Sequence, residues 1–226
     1  MNDKEKKRQW NEEKPGIPEE RWPALLALLS IGGLSLALPR ALTLGPRWLP
    51  ITLVILLLIP TIIAHRMGSN RWNHFFGNCV ASVVTVSLVF SLALLVHALP
   101  QHTEAPIALL KSAAALWVTN VLVFASWYWR LDAGGPHCRE RTAGHDRGAF
   151  LFPQMTMDDA VEDGGGDIPW APKFVDYLFL AFNTSTALSP ADTSVLSRWA
   201  KLLVMTQASI SLTIIVILAG RAVNIL

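Results

Sequence analysis

FVDYLFLAFNTSTALSPADTS, residues 174–194, begins as an apolar segment and breaks into a polar turn. As a helix, residues 174–188 would rise roughly 22 Å at 1.5 Å per residue, short of a hydrocarbon core of about 30 Å. Asn183, Thr184, Ser185 and Thr186 crowd its second half, which makes full spanning more costly still. A water-exposed loop is no better, because Phe174, Val175, Tyr177, Leu178, Phe179, Leu180 and Phe182 would all face solvent. Both objections vanish for a half-helix that dips into a membrane protein. The irregular backbone after Thr186 is then buried among other helices or lines a wet cavity. Asp176 and Tyr177 fall near its polar entrance.

The remainder of the chain supplies the bundle that such a segment needs. Of 226 residues, 52% are hydrophobic and only 16% charged. The apolar residues come in long runs, the signature of a multi-pass membrane protein. Five segments approach the length of a span: 23–44, 48–64, 76–99, 106–129 and 200–223. The first is the poorest, loosened by Gly32-Gly33 and shortened by Pro39-Arg40. The predicted fold is therefore an all-α integral membrane protein of about five transmembrane helices plus a re-entrant C-terminal half-helix. Its parts are a charged tail (1–22), a four-span bundle (23–129), a polar flexible linker (130–173) and the half-helix with the final helix (174–226). Trp22, Trp48, Trp72, Trp127, Tyr128, Trp129 and Trp199 flank the apolar runs, as aromatics at headgroup depth do.

Charge placement orients the bundle. Fifteen of the nineteen lysines and arginines fall on the side of the tail and the long linker. The positive-inside bias puts that side in the cytoplasm and the C-terminus outside. Net charge is only +2, without the basic excess of a nucleic-acid binder. Lys111, Arg221 and His97 sit near helix ends and snorkel to one interface. With no ionisable group at mid-membrane, a proton relay or voltage sensor is disfavoured. Asn120, at mid-depth of the fourth span, is expected to bond across helices.

The other constellations carry less chemistry. Thr206, Ser209, Thr213, Gly220 and Asn224 share one face of the last span. Such a face either lines a hydrated path or lets helices approach closely, and close packing is the stronger expectation. Asn78, Ser82 and Thr85 repeat the pattern on the third span, and Ser112, Ala115, Thr119 and Ser126 on the fourth. His137, Cys138, His145 and Asp146 lack any paired metal-ligand spacing. The acidic run Asp158, Asp159, Glu162, Asp163 and Asp167 lacks a calcium-loop spacing. No nucleophile or base stands in a recognisable catalytic pattern, so neither enzyme activity, metal nor cofactor is expected.

In layout, the unit of half-helix, threonine-rich end, Asp192 and long last helix resembles the pore module of two-span potassium channels. Where that filter carries Thr-Val-Gly-Tyr-Gly, this chain has Ala187, Leu188, Ser189, Pro190 and Ala191, and only Asp192 keeps its identity. A resemblance covering nearly the whole chain is to a bacterial family of multi-pass membrane proteins known only as a domain of unknown function. It rests on span count and on a basic loop between the second and third spans. It rests also on the ordered elements Asp176-Tyr177-Leu178, Thr184, Thr186, Ser189, Asp192-Thr193 and Ala222-Val223-Asn224. That likeness implies a bacterial inner-membrane location and no activity.

The functional expectation is a channel-like permeation protein without potassium selectivity. Its lining candidates are Thr184, Ser185, Thr186, Ser189, Asp192, Thr206, Ser209 and Thr213. The alternative is a membrane scaffold or partner-binding subunit that transports nothing. The expected partners are the lipid bilayer, further copies of the chain and small ions, with no nucleic acid.

Overall fold

Prolines mark both ends of the first helix and the start of the central one. The computed structural model describes residues 19–43, 45–46, 48–49, 51–56, 59, 70–99, 105–140, 148–156, 170–190 and 192–223. Helix α1, Trp22–Ala37, carries Pro23 in its first turn, where the missing N–H would have been unpaired anyway. It stops at Leu38, which Pro39 biases into extended backbone. The predicted apolar segment ran on to residue 44, but Arg40–Leu42 form a separate 3₁₀ turn. Residues 51–56 are helical. Much of the predicted second span lies outside the described residues, as do most of the tail, His145, Asp146, the acidic run at 158–167 and Asn224.

Three further helices are long: α2, Asn70–Ala98; α3, Pro106–Leu131; and α6, Arg198–Val223. Three stretches along them are long and apolar enough to cross a membrane: His74–Ala98, Arg198–Arg221 and Pro106–Gly134, the last running past α3 through a 3₁₀ turn. The protein is thus mainly α-helical, with three such helices among the described residues. α3 is the central post and packs against α1, α2 and α6, as well as against α5, Phe174–Ala187. α6 buries one narrow stripe, Ala200, Val204, Gln207, Ser211 and Ile214, at alternating steps of four and three. Its opposite face, including Leu202, Met205, Leu212 and Val216, is exposed. The Arg221 guanidinium donates to the Leu99 carbonyl at 2.9 Å, so α2 and α6 finish at the same end of the bundle.

Two stretches of the segment expected to be a polar flexible linker, 132–139 and 149–152, fold back onto the helices. After α3 the chain turns through Asp132–Gly134, then enters the short helix α4, Pro136–Arg139. Ala133, Gly134 and Gly135 all take positive φ, and a Cβ on Gly135 would lie 2.7 Å from the Arg130 carbonyl oxygen. Only glycine fits there. Further on, strand β1, Phe150–Leu151, pairs antiparallel with β2, Ser194–Val195, with Phe150 opposite Val195. Phe150 and Phe152 are buried and meet Tyr128 and Tyr177 edge to face. Composition suggested a linker because glycine and charge dominate the average, while the few aromatics that anchor it are too sparse to show a period.

Two aromatics assigned to the headgroup belt are also elsewhere: Tyr128 is fully buried, with its hydroxyl on Gln207. Trp129 is buried, and its indole N–H donates to the Glu19 carboxylate. Trp22, Trp48 and Trp72 are exposed, as the belt requires.

Candidate functional site

The decisive segment is a helix of 14 residues, roughly 21 Å long, held at both ends by buried polar contacts. At its start the Asp176 carboxylate accepts the Lys173 backbone N–H at 2.7 Å, an N-terminal cap. Burial pushes the Asp176 carboxyl above the ordinary carboxylate value, and the hydrogen bond from Lys173 opposes that rise. At its end Leu188 adopts left-handed backbone with φ 55°, and Ser189-Pro190 follows, where the helix cannot continue. By Ser194 the chain is back beside β1, and the Leu196 N–H donates to the Ala149 carbonyl at 2.8 Å. The Tyr177 hydroxyl, near the start of α5, donates to Asp132 Oδ2 at 2.7 Å, and Asp132 Oδ1 accepts the Ala149 N–H at 2.5 Å. The segment therefore starts and finishes at the same end of the bundle, the end where α3 terminates.

Around that entrance lies a clamp of buried charge. Arg139 donates through Nη2 to Glu19 Oε2 at 2.9 Å and through Nη1 to the carbonyls of Trp129 and Asp132, each at 2.9 Å. Its guanidinium also stacks over the Tyr177 ring, 5.3 Å from the centroid. One arginine thus joins the segment before α1, the end of α3 and the start of α5.

The tip of α5 is held by a second cluster at mid-depth of the bundle. Gln207 of α6 donates to the Ala181 carbonyl at 2.7 Å and to Ser185 Oγ at 2.9 Å, and it accepts the Tyr128 hydroxyl at 2.5 Å. Asn120 of α3 donates to Ser185 Oγ at 3.4 Å and to the Gln207 carbonyl at 3.3 Å. Ser211 donates to the Ser185 carbonyl at 2.6 Å. Asn120 thus makes the interhelical bonds expected of it, and its Oδ1 has no partner among the described residues. Removed from water, each of these groups needs a partner, so the cluster specifies where the half-helix stops.

The eight lining candidates divide between two surroundings. Thr184 and Ser185 are fully buried in or beside the mid-depth cluster. Thr186, Ser189 and Asp192 are exposed beyond the helix tip, and Thr206, Ser209 and Thr213 are exposed on α6. Each of these three α6 hydroxyls donates to the carbonyl four residues back. Of the residues that hold the site, Gln207, Ser211, Asp132 and Arg139 were not singled out from the sequence, and Tyr128 was assigned to the headgroup belt instead of this buried cluster. Gln207 carried a readable signal, because a glutamine near the middle of an apolar 26-residue helix is expensive to leave unpaired. Among the described residues no cluster of metal-ligating side chains forms. Compared with known proteins, the chain matches no family model, no curated protein and no solved structure.

Proposed function

We propose that this chain is a channel-like permeation protein of the bacterial cytoplasmic membrane. It has about five spans, a cytoplasmic N-terminus and a re-entrant half-helix, and several copies surround a hydrated path. The observation that carries this reading is the path of residues 174–196. A helix too short to span starts at one end, is pinned at mid-depth by Gln207 and Asn120, and returns to the same end. Non-helical backbone at membrane depth is tolerated where protein buries it or a wet cavity runs beside it. The exposed Thr186, Ser189, Asp192, Thr206, Ser209 and Thr213 would then face the path between copies, with the protomer's own polar cluster as scaffold behind them. Small ions suit a lining of hydroxyls with one carboxylate at its mouth.

Potassium selectivity is not expected. A carbonyl ladder needs successive carbonyls aimed at one axis, and here Leu188 has left-handed backbone while Pro190 fixes its own φ and removes an N–H. The second reading, a scaffold subunit that conducts nothing, is favoured by the α6 hydroxyls being satisfied within their own helix. Flux separates the two. Liposomes holding the purified chain are expected to pass potassium and sodium at comparable rates, with Asp192→Ala lowering both. No flux above empty liposomes would leave the scaffold reading.

A further inference from the structure

Between α1, the stretch with Leu53 and Val54, α2 and α3 lies a cavity of about 300 Å³, walled by Ile31, Ser35, Val84, Ser87, Leu88 and Thr119 among others. Among the described residues no charged side chain lines it. The Ser35 and Thr119 hydroxyls already donate to their own helices, at 2.6 and 2.8 Å. Water filling such a space would find few polar partners, and an empty hollow would forfeit dispersion contacts along its whole wall.

Further along the same helices, toward the end where α3 terminates, the bundle is cationic. The Arg130 guanidinium lies directly on Gly77 and donates to Asn78 Oδ1 at 3.3 Å; a Cβ at Gly77 would fall within 1.7 Å of its Nη2. His74 packs against Gly135, and Arg130, His137 and Arg21 all bear electrostatically on it. His137 Nε2 is buried with no partner among the described residues. Glu140 offsets part of this charge through Arg21, at 3.0 Å, and lies 3.7 Å from His137 Nδ1. Exposed Trp72 and Phe75 stand beside the cluster on α2, as aromatics at headgroup depth do.

The two ends align along all three walls. Arg21 and Gly32, Gly77 and Leu88, and Thr119 and Arg130 are each separated by three helical turns. Each pair therefore shares one helix stripe with roughly 16 Å between its members. That spacing is close to half a hydrocarbon core, about 15 Å.

We propose that this crevice binds one anionic phospholipid, with its phosphate among Arg130, His74 and His137 and one acyl chain filling the cavity. The site rests on the bilayer reading of the helices and not on permeation, so a chain that conducts nothing still holds the lipid. The test uses the full chain in detergent with phosphatidylglycerol bearing a photoreactive group at mid-chain, and phosphatidylcholine labelled alike. Phosphatidylglycerol is expected to label residues 82–91 well above the lipid-exposed Val216 of α6. Arg130→Gln is expected to lower its advantage over phosphatidylcholine about fivefold, the worth of one cationic contact with an anionic lipid. Ser87→Leu fills the cavity and abolishes the excess label, while Val89→Leu, on the exposed side of α2, leaves it. Inorganic phosphate at millimolar concentration is expected not to compete. Even labelling of α2 and α6 in the unaltered chain overturns the site, whatever the variants do. So does full competition by free phosphate, which would mean that the acyl chain contributes nothing.

Discussion

Arg139→Leu is expected to destabilise the protein by about 3–5 kcal/mol, the cost of breaking a buried ion pair from one side. Both partners are almost fully buried, with 4% of the Arg139 and 7% of the Glu19 side chain exposed. Without the guanidinium, Glu19 keeps only the Trp129 indole among the described residues, and its carboxylate loses its cation. The Trp129 carbonyl loses the Arg139 donor, the Asp132 carbonyl keeps only the Gly135 N–H among the described residues, and the Tyr177 ring loses its cation. In a chain of this size the loss should lower Tm by about 10 °C. Glu19→Leu should behave similarly, and the double variant should be less damaged than the sum of the two, because it leaves no lone charge. Thermal unfolding in detergent, followed by circular dichroism, measures all three. A fall of only a degree or two for Arg139→Leu would mean that the clamp does not anchor α5.

Gln207→Leu is the second large effect, about 3 kcal/mol, and acts at the other end of the half-helix. The substitution nearly keeps side-chain volume but removes the acceptor of Tyr128 and the donor shared by Ala181 and Ser185. A buried hydroxyl left without a partner costs about 1–3 kcal/mol, and interhelical bonds in bilayers average about 0.6 kcal/mol each. Adding Tyr128→Phe should recover part of the loss, since removing both partners is far cheaper than removing one. If the double variant unfolds at a lower temperature than Gln207→Leu alone, the Tyr128 hydroxyl has another partner and the cluster is wrongly drawn.

Much of the architecture was legible because it depends on run length and punctuation. Pro23, Pro39 and Pro106 mark helix ends that the sequence places within a few residues, and the apolar runs of α2, α3 and α6 are unmistakable. The shortness of 174–187 was legible too, from Asn183 to Thr186 on one side and Pro190 on the other. The anchors were not. Asp132 and Arg139 looked like linker charges, because pairing with Tyr177 and Glu19 spans 45 and 120 residues of chain and leaves no local period. On α6 the hydroxyl face drew notice while the buried stripe through Gln207 and Ser211 did not. Helical spacing shows which residues share a face, and neither face of a uniformly apolar helix declares which one meets protein. Thr184 and Ser185 were found for their polarity, and their burial against Gln207 depended on a helix 20 residues further on.

Residues 174–196 are expected to leave one side of the membrane and come back to it. On a background with Cys79 and Cys138 replaced, single cysteines at Lys173, Ser197 and Val223 can be probed in whole cells and inverted vesicles with an impermeant thiol reagent. Lys173 and Ser197 mark the two feet of the segment, and Val223 lies at the far end of α6. The account predicts that Lys173→Cys and Ser197→Cys react only in inverted vesicles and Val223→Cys only in whole cells. Reaction of Lys173→Cys and Ser197→Cys from opposite sides would make the segment a full span and contradict the account.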